Sequence, residues 1–281
     1  MPFSPRDRES IFNSLKHSDV VVNMIGKHFE TKHLAPKVQA NGTVSRVNYD
    51  FEEVNIRIPE TLAELAKAAG VKSMIHVSAL AADEHSDSKW AWSKAMGEHA
   101  VRNKFPDAII VKPATVFGAE DRFLNWIAET MSRSPYFPLL NEGSNILQPV
   151  AAEDVAKAIM TIIEHRGACA GRTFQLAGPA EYTYKEIAEF VGDVTTLNKT
   201  LIDVSEDQAL MFGDALQSLI NPVVTADGVR QMSTDVIAKN DPSMLTFKNL
   251  SIKPQSMDKI AFDYLHRFRK GGHFTLVEGY H

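Results

Sequence analysis

A single cysteine, Cys169, in 281 residues excludes an internal disulfide and a cysteine zinc cluster. No run of 18 apolar residues occurs, so no segment reads as a membrane-spanning helix. Positive charge is in deficit. Thirty Lys+Arg against 35 Asp+Glu leave a net charge of −5, the wrong sign for a general phosphate-backbone binder, and no basic-aromatic stripe offsets it, so nucleic acid is not an expected partner. The first nine residues lack an apolar segment, so they do not read as a secretory signal, and acids by position 7 make them unlike a transit peptide. Also missing is a glycine-rich turn between a first strand and a first helix. The first glycine is Gly26, and neither G-x-G-x-x-G nor G-x-x-G-x-x-G occurs anywhere.

What is present reads as a soluble globular chain, 44% hydrophobic and 23% charged, long enough to bury a core without staples. Residues 19–26 form a short apolar, β-branched run, opened by Asp19 and interrupted only at Asn23, that ends in Gly26. That is the mark of a strand buried on both faces of a parallel sheet. A helix is expected over 51–69, with Val54, Ile58, Leu62, Leu65 and Ala69 on one stripe and Gly70 as its stop. Strands at 73–78 and 107–115, with a helix at 88–104 between them, complete a strand–helix alternation that right-handed crossovers wind into a doubly wound sheet. Further helices are expected at 121–133, 152–165, 183–191, 205–219 and 256–270, and a strand at 172–177. From 134 onward Pro135, Pro138, Gly143, Pro149, Gly178-Pro179 and Asn221-Pro222 break the rhythm. The expected organisation is a partial Rossmann-like domain over 1–133 and a smaller, irregular C-terminal lobe over 134–281.

Ser78 ends the second of these strands, and Trp90-Ala91-Trp92-Ser93-Lys94 opens the next helix. Short-chain dehydrogenase/reductases place a Ser at that strand end and Tyr-x-x-x-Lys on that helix, where a four-residue offset puts both side chains on one face. Here Ser78 and Lys94 match and Trp90 holds the tyrosine position. An indole N–H donates only and does not ionise near neutral pH, so it cannot serve as the acid–base group.

The wider pattern is more specific. Asn23-Met24-Ile25-Gly26 with Glu30-Thr31-Lys32, Phe51-Glu52-Glu53-Val54, Gly70-Val71, His76-Val77-Ser78 and Lys94-Ala95-Met96-Gly97-Glu98 follow in order. Then come 105–113 (FPDAIIVKP), 117–125 (FGAEDRFLN), Gln148-Pro149-Val150, Asp154-Val155-Ala156 and, after a weaker stretch, Thr225-x-Asp227-x-Val229-x-x-Met232 and Pro254. Together they resemble the nucleotide-binding accessory subunits of mitochondrial respiratory complex I, atypical members of the extended short-chain dehydrogenase/reductase superfamily.

The resemblance implies a non-catalytic, matrix-side subunit near the inner membrane, at the junction of the peripheral and membrane arms. Other complex I subunits would be its partners, and a tightly bound NADPH would be held for structure. By position, Met24, Ile25 and Gly26 would pass under the adenine ribose and pyrophosphate. Val77 and Ser78 would flank the nicotinamide ribose, and Lys94 would hold its hydroxyls. Pro113, Thr115, Val116 and Phe117 would line the nicotinamide end. The alternative is a working NAD(P)-dependent reductase or epimerase of the same superfamily.

This chain departs from the family at its front. The first two strands and the phosphate loop would precede Met1, and Ser4 stands where the family has an acid near the adenine. The strand over 20–25 therefore loses its neighbour and becomes an open edge, which a further segment or another subunit is expected to fill. Bland roles suit the other candidates. His28 and His33 are badly spaced for a metal, and His76 reads as a hydrogen-bonded core residue. Glu120-Asp121 read as a helix cap, Trp90, Trp92 and Trp126 as packing or interface residues, and Cys169 as buried. The last helix, with one apolar side and a basic end, reads first as a packing element and second as a contact to lipid headgroups.

Overall fold

The computed structural model describes residues 4–30, 49–216 and 224–269, together with the backbone of 35–38 and 44–47. The chain forms two compact units, each assembled from three stretches. Met1–Lys112, His165–Thr173 and Glu206–Met232 make the first; Pro113–Glu164, Phe174–Ser205 and Ser233–His281 make the second.

The first unit opens with a helix the sequence pattern did not announce, α1 (Arg8–Leu15), capped by Asp7, whose carboxylate accepts the Glu9 N–H at 3.1 Å. Strand β1 (Val20–Asn23) follows. Helix α2 (Ile58–Ala68) is entered through a π-helical turn, Glu53–Arg57, and carries a proline in its first turn. Gly70 ends it at φ +77°, the left-handed conformation that lets the chain reverse into the next strand. Strand β2 (Ser73–Val77), helix α3 (Lys89–Lys104) and strand β3 (Ile109–Pro113) complete the alternation. β1 pairs parallel with β2, Val20 opposite Ser73 and Asn23 opposite His76, and β2 pairs parallel with β3. Ile11 and Leu15 of α1 join Leu62, Ala66, Met74, Val101, Phe105 and Ile110 in one buried cluster. That common core explains why these amphipathic segments fold as helices over a sheet.

The expected strand over 19–26 is corrected in length and in burial. It spans four residues, and Val20, Val21 and Val22 are half-buried rather than enclosed on both faces. Among the described residues β1 has a strand neighbour on one side only. A short antiparallel hairpin, Ala35–Val38 with Val44–Val47, was not anticipated. Nor was the helix Ala226–Met232, which packs beside the expected Glu206–Leu216. Residues 217–219 of the helix expected over 205–219, and residue 270 of that expected over 256–270, lie outside the described residues.

In the second unit, helices Leu124–Arg133, Ala152–Glu164, Tyr184–Thr195 and Met257–Leu265 surround a core that includes Phe117, Phe137, Ile162 and Ile187. Asp121 caps the first of these, accepting from the N–H groups of Phe123 and Asn125 at 2.9 Å each, and also accepts a hydrogen bond from the Tyr264 hydroxyl at 2.8 Å. Strand Tyr136–Leu140 pairs in parallel with Thr200–Val204, an unanticipated pairing. At the end of the last helix, Arg267 donates to Asn125 Oδ1 at 2.8 Å and Arg269 donates to the Val194 carbonyl at 2.6 Å. These basic groups are engaged within their own unit, which favours the packing role over the headgroup role.

Candidate functional site

Six of the ten residues that the resemblance marks for a nucleotide lie in the first unit, around the carboxyl ends of β1 and β2 and the first half of α3. Lys94 is the centre of this group. It is 7% exposed, and burial pulls its ammonium down to about 8, against a smaller opposing pull from Glu98. Its Nζ lies 3.3 Å from the position that a Cβ on Gly26 would take, so the glycine lets the backbone after β1 approach the amine. Met24 is largely exposed and Ile25 half-buried, its N–H donating to Asn23 Oδ1 at 3.1 Å.

Beneath them, Asn23 and His76 tie the ends of β1 and β2 through a buried 2.9 Å hydrogen bond between Nδ2 and Nδ1. Burial, reinforced by the charge of Lys94, pushes His76 down to about 3. The ring is neutral at physiological pH, and among the described residues its Nε2 has no hydrogen-bond partner. His76 is thus the core residue that the strand context suggested.

Ser78 is buried where β2 ends. Its N–H donates to the Val111 carbonyl at 2.8 Å, and its hydroxyl donates to Glu98 Oε1 at 2.5 Å. Glu98 is also ion-paired to Lys112 of β3 at 3.0 Å, both side chains being well shielded. Lys94 and Glu98 are four apart on α3 and so share one face. The Ser78 hydrogen is thereby committed to a carboxylate inside the protein. Pattern reading passed over Glu98 and Lys112 as partners, although the offset from Lys94 carried the signal for Glu98.

Trp90 is half-buried, and its indole N–H donates to the carbonyl of Lys27 at 2.9 Å. Trp90 therefore clamps α3 to the loop after β1. A second clamp holds the same helix end: Asp227 accepts the N–H of Lys89 at 2.6 Å, the N–H of Trp90 at 3.2 Å and the Ser88 hydroxyl at 3.2 Å. An internal carboxylate thus occupies the partial positive charge of the α3 N-terminus. Nothing local to Asp227 could have announced this, because its partners lie more than 130 positions away.

Deeper along α3, Gly97 lies so close to the π-helical turn that a Cβ would stand 2.0 Å from the Asn55 carbonyl oxygen. The Asn55 side chain donates to Ser93 Oγ at 2.9 Å. Helix α3 is seated backbone to backbone, which fixes where Trp90, Lys94 and Glu98 stand.

The other four marked residues lie in the second unit. Pro113, Thr115 and Val116 are half-buried, and Phe117 is fully buried. Val116 and Phe117 pair in parallel with Val150 and Ala151, and the Val150 N–H donates to the Thr115 carbonyl at 3.0 Å. Among the described residues, no group of three or more His, Cys, Asp or Glu is gathered as a metal site, and no helix is long and apolar enough to cross a membrane.

With this geometry in hand, comparison with known proteins is direct. The model of the NAD dependent epimerase/dehydratase family matches residues 15–177, more than half of the chain. The chain belongs to that family. Two similar relatives are both named NADH dehydrogenase (ubiquinone) 1 alpha subcomplex subunit 9, mitochondrial. The one from Arabidopsis thaliana is 31% identical over 97% of this chain and 66% of its own length, and that from Rattus norvegicus is 33% identical over 96% and 67%. The chain thus spans about two thirds of the length of these relatives. Among solved structures of the same architecture, a nucleoside-diphosphate-sugar epimerase from Staphylococcus aureus superposes with a TM-score of 0.66 at 16% identity, over 94% of this chain and 82% of that one. At that identity the likeness speaks for the fold alone, a Rossmann-like parallel sheet with flanking helices.

Proposed function

We propose that this family member is a non-catalytic subunit of mitochondrial NADH:ubiquinone oxidoreductase. It supports assembly at the junction of the peripheral and membrane arms on the matrix side, and its nearest neighbours are other subunits of that complex. Similarity to the alpha subcomplex relatives along nearly the whole chain supports the assembly role. One observation carries the non-catalytic part. In the acid–base position stands Trp90, a group that cannot exchange a proton and whose N–H is already given to Lys27. The hydroxyl of Ser78, similarly committed to Glu98, is not free to polarise a carbonyl.

We assign NADPH as a structural ligand on a partial fit. The ribose end is well provided for. Lys94 is a buried ammonium beside the bare backbone of Gly26, and it would hold ribose hydroxyls, with Val77 and Ser78 at the sugar and Pro113, Thr115, Val116 and Phe117 toward the nicotinamide. Met24 and Ile25 would run along the adenosine side. The pyrophosphate end asks for a glycine-rich turn at a helix N-terminus, which the described residues do not supply. When bound in enzymes of this fold, the dinucleotide supplies or accepts a hydride. Here the residues around it would hold and orient it, with an indole in place of the acid–base tyrosine.

The open flank of β1 belongs to the same reading. A half-buried β-branched edge is a pairing template, and a parallel strand laid against Val20–Asn23, from a further segment of polypeptide or from a neighbouring subunit, would complete the sheet and bring that missing turn. The test is enzymatic and structural together. Purified full-length protein is expected to show no substrate-dependent NADPH oxidation while co-migrating with the solubilised oxidoreductase on native gels. Reductase turnover that is lost in both Ser78→Ala and Lys94→Ala would overturn the non-catalytic reading in favour of an active reductase or epimerase. A solvent-exposed β1 edge in the assembled complex would remove the strand-completion part.

A further inference from the structure

Residues 200–229 hold five acids, Asp203, Glu206, Asp207, Asp214 and Asp227, and neither lysine nor arginine. Since the whole chain carries −5, its entire net charge is concentrated in this one stretch. Within it, helix Glu206–Leu216 buries one residue, Gly213, whose backbone lies so close to the next helix that a Cβ would be 2.6 Å from the Ala226 nitrogen. Leu210 and Leu216 are half-buried, but the two bulkiest apolar side chains point outward. Met211 is 65% exposed and Phe212 58% exposed. Asp207 stands one turn before Met211, and Asp214 one turn after it, on the same face. The base of this arm does not drift, because Asp227 of the adjoining helix is fixed to the first residues of α3.

An eleven-residue helix is marginal alone, and two adjacent, largely bare, bulky apolar side chains mark a surface that gains by being covered. We infer that helix Glu206–Leu216 is a docking arm for another protein of the same assembly, one presenting an apolar socket bordered by lysine or arginine. This rests on the subunit reading given above. Charge decides the occupant. An interfacial helix for anionic lipid carries basic residues on its polar face, and this one carries acids only. A second copy would set acidic arm against acidic arm, which opposes a self-complementary contact.

The experiment uses the full-length chain as Cys169→Ala with Met211→Cys, probed by a maleimide both free and within the solubilised oxidoreductase. Rapid labelling of the free chain and loss of labelling in the complex is the expected result. In parallel, Met211→Glu with Phe212→Glu is expected to lower incorporation into the complex while leaving the thermal midpoint of the free chain unchanged, and Glu206→Lys with Asp207→Lys to lower incorporation with only the small thermal shift that reversing first-turn charge brings. Equal labelling in both states, with normal incorporation of the variants, overturns the docking arm and leaves the subunit reading standing. A chain that never enters the complex overturns both. Labelling already lost in the free chain assigns the face to this polypeptide itself, and co-sedimentation with phosphatidylcholine–phosphatidylglycerol vesicles that Met211→Glu abolishes assigns it to lipid. Either of those results also overturns the proposal.

Discussion

Strands β1 and β2 lie side by side in register and share an apolar character, Val20-Val21-Val22-Asn23 against Ser73-Met74-Ile75-His76. Their surroundings differ sharply. Met74 and Ile75 have no exposed surface, whereas the three valines are half-buried. β2 is flanked by β1 and β3, while β1 is flanked, among the described residues, by β2 alone. The residue types select an extended, parallel strand in both places. The number of neighbours then decides how much each side chain contributes, and only the polar end of β1, where Asn23 binds His76, is held as tightly as its partner.

The contrast can be pressed hardest by paired truncations. Ile75→Ala in β2 is expected to cost about 4 kcal/mol in urea unfolding, since it opens a cavity in a fully packed layer. Val21→Ala in β1 should cost only about 1 kcal/mol, its side chain being partly in water already. Equal losses in the free chain would break the comparison. A β1 loss that grows toward the β2 value inside the assembled complex would sharpen it by revealing an added strand. Next comes Gly97→Ala, which drives a methyl into the Asn55 carbonyl. About 3 kcal/mol of destabilisation is expected, because both sides of the contact are backbone.

Lys94, between the end of β1 and α3, should act in the opposite sense. Its folded-state value of about 8 lies below the ordinary lysine value of 10.5, so the unfolded chain binds the extra proton between those limits. Folding stability therefore rises with pH across that window, and the full penalty is present below it. Lys94→Met is expected to abolish that rise and to stabilise the protein at pH 7 by about 2 kcal/mol, read as the difference between the two pH–stability curves. The smallest effect should be Asp227→Ala, the loss of a cap at the α3 N-terminus, at about 1 kcal/mol. Its thermal shift should be reproduced by Asp227→Leu and largely restored by Asp227→Asn.

Much of the alternation of strand and helix could be read from periodicity, because Val20–Asn23, Ser73–Val77 and Ile109–Pro113 announce themselves by β-branched runs, and Gly70 and Ser88 by their places at helix ends. The α1 helix escaped notice because it is short and weakly amphipathic. Its signals, Asp7 as cap and Ile11 with Leu15 one turn apart, are local and were there to be found. The pairing of Tyr136–Leu140 with Thr200–Val204 was beyond reach, since no local rule joins segments some sixty positions apart. At the candidate site, the resemblance to short-chain dehydrogenase/reductases marked Ser78, Trp90 and Lys94. What those side chains touch did not follow. That Glu98 accepts the Ser78 hydroxyl hydrogen bond, that Trp90 binds the Lys27 carbonyl and that Asp227 closes the helix end are all consequences of tertiary placement.

The interleaving of the two units along the chain bears on how the polypeptide is made. The first unit draws on His165–Thr173 and Glu206–Met232 as well as on everything up to Lys112, so a nascent chain emerging from the ribosome cannot finish it until Met232 has been added. Until then its apolar surfaces stand uncovered and in need of chaperones. Products that stop early would lack pieces of both bodies at once, and degradation, rather than a surviving half-protein, is their natural fate.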